Sequence, residues 1–259
     1  MVRSILWRLI GCFCFWWSLG LALFFISFGV NRIEKAVQVS ESSSIRSEKI
    51  TAISEEKSEE VQVENSSTDT EKTRAAGCVA LTFDDGPHPV YTPQLLDGLG
   101  ERGVRATFFV VGENIPGNEE ILKRMDAEGH LIGNHTYDHV KLSDLDSAQA
   151  CAEVEKTNAL IQEATGKEPE FIRPPFGAWK KTMECSLGML PVLWDVDPLD
   201  WTTKNTALVV ERVLKDTKPG DIILLHDYYQ SSVDAALEVV DALIQRGYEF
   251  VTVDELILE

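Results

Sequence analysis

The chain is 259 residues long and carries a formal net charge of −18, with 24 Lys and Arg against 42 Asp and Glu. So acidic a protein repels polyanions, which argues against nucleic acid as a partner. Five cysteines without a CxxC pair make neither a zinc ribbon nor a dense disulfide framework. One bridge among Cys78, Cys151 and Cys185 is open, and three buried thiols are the plainer expectation.

The first charged residues are Arg3 and Arg8, and the run Leu9 to Val30 that follows is uncharged and rich in Phe, Leu and Trp. At about 1.5 Å per residue it spans roughly 33 Å as a helix, enough to cross a bilayer core. No A-x-A-like cleavage site lies near Gly29 to Asn31. Residues 1–30 are therefore expected to be a short cytoplasmic tip and an uncleaved transmembrane signal anchor. Arg32 and Lys35 follow the run, so charge alone orients it weakly. Residues 31–74 are rich in Ser, Glu and Lys and have no Gly or Pro. They cannot bury enough apolar surface to order themselves and read as a tether, or a partly helical stalk. Residues 75–259 keep 32 of the acidic and 15 of the basic residues, a net of −17, and are long enough for a sizeable core.

Within that part, strand-like runs alternate with amphipathic patterns. Cys78–Phe83, Ala106–Val111, Leu131–Gly133, Phe171–Arg173, Leu190–Trp194, Asp221–Leu225 and Glu249–Val253 read as strands. Pro93–Arg102, Glu119–Glu128, Ser143–Thr165 (with Ser143 as a weak cap) and Val233–Arg246 read as helices. Repeated β–α units imply parallel strands with helices outside, and in such folds active sites collect after the strand ends.

Five polar clusters sit there. Asp84 and Asp85 follow the strand VALTF and precede Gly86-Pro87. Neighbouring side chains at a strand end diverge, so one carboxylate can ligate a metal while the other faces a substrate; a solvated acidic turn is the alternative. His135 and His139 stand four apart in HTYDH, a spacing that on a helical turn lets both reach one cation. Two imidazoles and a carboxylate leave open positions, the mark of a catalytic rather than a structural metal. Arg173 opens the stiff segment RPPFG, which could aim a backbone N–H at a developing oxyanion. Residues 194–201, WDVDPLDW, combine carboxylates and aromatic faces suited to sugars. His226 ends the apolar run ILLH, where a strand-end catalytic acid would sit.

Taken together, TFDDGP, HTYDH, RPPFG, DPLDW and ILLH resemble the motif series of the polysaccharide deacetylases, the NodB-like domains of carbohydrate esterase family four. The resemblance runs from about Gly77 to the C-terminus. It implies an irregular (β/α) barrel of seven strands that binds a divalent metal, zinc foremost, with cobalt or another divalent ion as alternatives. Asp85, His135 and His139 would be its ligands and Asp84 the general base, held by Arg173. Phe176 would offer its N–H to the oxyanion; many members have Tyr at this position. His226 would be the general acid, oriented by Asp200, while Trp201 and Leu224 would wall an acetyl pocket. The implied substrate is an N-acetylated polysaccharide, first of all the N-acetylglucosamine of peptidoglycan. Chitin-like oligomers, exopolysaccharide and acetylxylan stand behind it. A small-amide hydrolase and a non-catalytic glycan-binding relic are the rivals. With the anchor, the resemblance predicts a monomer at the cell membrane, a single pass, and the catalytic domain outside.

Overall fold

The computed structural model describes residues 77–179 and 188–258. The expected anchor, residues 1–30, and tether, residues 31–74, lie outside the described residues, as does Cys185. Among the described residues no helix is long and apolar enough to cross a membrane.

Seven parallel strands form one sheet: β1 Gly77–Asp84, β2 Thr107–Val110, β3 Leu131–Asn134, β4 Phe171–Ile172, β5 Leu190–Pro191, β6 Ile222–His226 and β7 Tyr248–Val251. Their order is β5-β4-β3-β2-β1-β6, with β7 on β1. Ala80 is paired with Ile222 of β6 and Val251 of β7 at once, so β7 and β6 flank β1 on opposite sides. Beyond β5 the chain returns to the free edge of β6 and meets it at an isolated β-bridge, Val196 to Ile223. The result is the incomplete, irregular barrel expected.

The period of two along each strand divides its residues between two faces. Val79, Leu81 and Phe83 of β1, Phe108 and Val110 of β2, and Ile223 and Leu225 of β6 belong to the main core. The helices α1 Tyr91–Glu101, α2 Glu119–Ala127, α3 Ser147–Thr165, α4 Thr206–Asp216 and α5 Gln230–Gln245 lie on that side, and most of them contribute side chains to the main core. Ala80 and Phe109 take the other face and join Phe171 and Val192 in a smaller cluster inside the barrel. Thr82 and Asp84 share that inner face by the same alternation, which explains a polar pair on a buried strand.

Several boundaries differ from expectation. The helix expected from Ser143 begins at Ser147, after a separate 3₁₀ turn at Leu142–Asp144. Asp146 is the cap: its carboxylate accepts from the Gln149 N–H at 2.9 Å while the Gln149 amide accepts from the Asp146 N–H. That reciprocal box satisfies two otherwise orphan donors and fixes the start. β4 stops at Ile172 because Pro174 and Pro175 have no N–H to offer. β5 stops at Pro191 because the carbonyls of Val192 and Leu193 are taken by Arg173. The helix α4 has no counterpart among the expected elements. It is capped by Asn205, which accepts from Leu208 N–H, but Thr206, Val209, Val210 and Val213 are poor helix formers that mask it. Val253, expected to end a strand, instead opens α6, Val253–Leu258. Cys78 and Cys151 are half-buried rather than buried.

Candidate active site

Asp84 is the last residue of β1 and is level with His226 across the β1–β6 ladder. Both point to the inner face. Asp84 is buried, and Arg173 Nη1 donates to its Oδ1 at 2.9 Å. The same nitrogen donates to the Thr82 hydroxyl at 2.6 Å, and Nη2 reaches the Leu193 carbonyl at 3.1 Å. The Arg173 guanidinium also lies over the Phe109 ring, 4.3 Å from its centroid. A fully buried Arg is expensive unless paired. Burial lowers its pKa from the ordinary value, and the charge and hydrogen bond of Asp84 oppose that shift.

Asp85 follows in a left-handed conformation, φ 72°, which turns its side chain away from the strand direction. Its Oδ1 lies 3.6 Å from His135 Nε2 and 3.4 Å from His139 Nε2. The ligating atoms of Asp85, His135 and His139 all fall within 4.8 Å of one another. Asp85 Oδ1 is buried and has no hydrogen-bond partner among the described residues. His135 Nδ1 is 2.6 Å from the Arg173 carbonyl. A carbonyl only accepts, so Nδ1 carries the proton and Nε2 presents its lone pair. Burial holds the His135 pKa below its ordinary value, with the nearby carboxylates opposing, so the ring is neutral. Two imidazole nitrogens and one unsatisfied carboxylate oxygen are the donor set of a divalent ion such as zinc. The residues fit the expected metal.

The HTYDH segment is not the expected helical turn. Thr136 and His139 have φ of 66° and 51°, and the segment runs as a loop after β3. Its backbone is satisfied by neighbours instead. Asn134 Oδ1 accepts from Thr136 N–H, and Glu153 Oε2 accepts from the N–H groups of Tyr137 and Asp138. Asn134 is itself fixed to α3 through the Asn158 side chain and the Val154 carbonyl. The two histidines thus converge because α3 holds the loop, not because of helical periodicity.

Opposite them, His226 Nδ1 meets Asp200 Oδ1 at 2.8 Å, while Asp200 Oδ2 accepts from the His226 N–H at 3.0 Å. Burial alone would lower the imidazole pKa. The hydrogen bond and charge of Asp200, with the charges of Asp84 and Asp85, outweigh it and raise the pKa to about 9. His226 is therefore a cation at neutral pH with Nδ1–H fixed on Asp200.

These groups share one cleft of about 370 Å³. Leu224 is buried at its wall, whereas Trp201 and Phe176 are 57% and 67% exposed at its rim. Phe176 adopts φ 61° and packs edge-on against His139. Every predicted site residue is accounted for here, Arg173 and Asp200 standing behind the residues that line the cleft. Of the remaining carboxylates in WDVDPLDW, Asp197 lines the cleft, and Asp195 is spent on the Ile222 N–H. Sequence reasoning missed Tyr229, a lining residue, and Asp227, which is wholly buried beneath the DDGP turn. Asp227 accepts from the Thr92 hydroxyl, and a Cβ on Gly86 would lie 2.5 Å from its Oδ2. Their signal was adjacency to His226 in HDYY.

A family model described as polysaccharide deacetylase matches residues 71–191. The peptidoglycan-N-acetylmuramic acid deacetylase PdaC of Bacillus subtilis is 40% identical over 178 residues, which are 69% of this chain and 38% of that protein. Its solved structure superposes with a TM-score of 0.68, covering 70% of this chain and 90% of the other. The peptidoglycan-N-acetylglucosamine deacetylase PgdA of Listeria monocytogenes is 38% identical over 178 residues, again 69% of this chain and 38% of that protein. The chitooligosaccharide deacetylase of Sinorhizobium fredii is 37% identical over 190 residues, 67% of this chain and 88% of its own length. The match thus spans well under half the length of the two peptidoglycan-directed relatives.

Proposed function

The chain belongs to the polysaccharide deacetylase family, and from that premise we propose that it hydrolyses N-acetyl groups on a cell-surface polysaccharide, most readily the N-acetylglucosamine of peptidoglycan. The observation that carries this reading is the pairing of Asp84 with His226 across the β1–β6 ladder, beside the cluster of Asp85, His135 and His139.

Asp85, His135 and His139 would hold a divalent ion, whose charge would polarise the acetamide carbonyl and acidify a water. Asp84 takes a proton from the attacking water as its oxygen bonds to the carbonyl carbon. Arg173 keeps the carboxylate aimed, because its Nη1 is fixed on Oδ1 and leaves Oδ2 for the proton. The Phe176 N–H, on a stiff turn at the cleft, donates to the tetrahedral oxyanion. His226 gives its proton to the departing nitrogen as the C–N bond breaks, since an amide anion is too poor a leaving group unaided. Acetate and a free amine result. Leu224 and Trp201 wall the acetyl group. Residues 9–30 anchor the chain in the membrane and residues 31–74 hold the catalytic part outside, next to the wall.

Full-length protein is to be stripped with chelator, reloaded with single divalent ions and assayed for acetate release from peptidoglycan, chitooligosaccharide and acetylxylan. Release from peptidoglycan or chitooligosaccharide, lost on stripping and restored by one ion, is the expected result. No acetate from any glycan overturns the reading and leaves the binding relic. Asp84→Asn is expected to lower turnover by at least 10²-fold while the metal still binds; retained activity would remove the base assignment.

A further inference from the structure

The cleft does not end at its catalytic groups. Tyr229 lines it and is 41% exposed. Its ring stands edge-on to Tyr228, 5.7 Å between centroids, and Tyr228 is 43% exposed. Tyr228 in turn meets the edge of His88 at 5.0 Å, and His88 stacks on Tyr91 at 4.3 Å. Four aromatic rings thus form a chain from the cleft, crossing from the loop after β6 to His88 in the loop after β1 and ending on Tyr91, the half-buried first residue of α1, which packs against the main core. Asp227 and Thr92 tie the loop after β6 to the first turn of α1, so the backbone beside the rings is fixed.

We propose that Tyr229, Tyr228 and His88, backed by Tyr91, form a binding subsite for sugar units of the glycan beyond the one being deacetylated. The inference rests on the function proposed above. A polymer wider than a 370 Å³ cleft must leave across its rim, and this is a rim of aromatic rings continuous with the cleft. Tyr offers an apolar face and a polar tip at low cost in side-chain entropy, which suits the C–H faces and hydroxyls of pyranoses. His88 is a rigid part of the platform. Its Nδ1 accepts from the N–H groups of both Val90 and Tyr91, at 3.1 and 3.2 Å. Nδ1 is thus an acceptor and Nε2 carries the ring's proton, a donor for a sugar hydroxyl. Burial keeps this imidazole below its ordinary pKa, so the platform is uncharged and matched to a neutral sugar rather than to an anionic peptide or lipid.

The test compares full-length wild type, Tyr228→Ala and Tyr228→Phe on N-acetylglucosamine oligomers of increasing length. Wild-type kcat/KM is expected to rise with chain length. Tyr228→Ala should match wild type on the shortest oligomer hydrolysed and lose about 5- to 10-fold on the longer ones, in KM rather than kcat, as the loss of one aromatic contact implies. Tyr228→Phe should restore most of that gain, because the ring face is kept. An equal loss at every length, or no loss at any, overturns the subsite. Calorimetric titration of the longest oligomer into Asp84→Asn, with and without Tyr228→Ala, reads the subsite without turnover. Weaker binding with the alanine supports it and unchanged binding overturns it. If wild type releases acetate from no oligomer, the deacetylase reading fails while this titration still decides the platform.

Discussion

His226 and Asp227 are adjacent in sequence and opposite in electrostatics. As the proposed acid, His226 must be protonated, so kcat/KM should be level at neutral pH and fall as pH rises through about 9. A cation on Asp85 offsets that carboxylate's share, so the limb is expected at or somewhat below this value. Asp200→Asn removes the hydrogen bond and charge that hold the imidazole up, and should move the limb to lower pH; an unmoved limb would show that another group sets it. Burial pushes the Asp227 carboxyl up to about 7 from 3.8, against the Thr92 hydrogen bond. The folded state therefore keeps a proton that the unfolded chain has lost. Stability should decline as pH rises from about 4 through about 7. Asp227→Asn lacks that loss, so its melting temperature should gain on wild type between pH 5 and pH 8; a constant difference would contradict the buried titration. The strand-end positions of Asp84 and His226 were legible because each ends an apolar run. Asp227 was not, since nothing in a sequence distinguishes a buried carboxylate from a solvated one following a strand.

Among the elements, α3 contributes most to the site without touching a substrate. Glu153 accepts two N–H groups of the His135–His139 loop, and Lys156 lies 3.1 Å from the centroid of the Tyr137 ring. Such outer partners of metal ligands typically matter 10- to 100-fold in affinity. Glu153→Ala should weaken metal binding by about 10-fold in calorimetric titration while leaving the melting temperature of the metal-free protein nearly unchanged. A change in stability alone, with affinity intact, would make Glu153 merely structural. Asp146→Ala, which removes the α3 cap, should cost about 1 kcal/mol of stability, measured by denaturant unfolding. Most strands and helices could be read from their periodicity, but α4 hid behind β-branched residues, and Ser143 imitated a cap that Asp146 supplies. The spacing of His135 and His139 pointed to their convergence for an inexact reason. What brings them together is a pair of left-handed residues and a neighbouring helix, neither of which a spacing encodes.

At the scale of the whole molecule, Arg173 is where separate parts of the chain meet. Its guanidinium joins Thr82 and Asp84 of β1 to the carbonyls of Val192 and Leu193 beyond β5, and its own carbonyl orients His135 after β3. On the other side of the ring, the Val196 bridge and the hydrogen bonds of Asp195 and Asp200 tie the segment after β5 to β6. A chain that has formed its strands but not placed this side chain would have an open seam, an unheld base and a histidine free to turn. Closing the seam and assembling the catalytic groups are then one cooperative event. Activity should vanish together with the tertiary signal in a single denaturant transition, with no native-like inactive stage before it. No partly built form would then carry an assembled site, and misfolded copies would be silent rather than promiscuous.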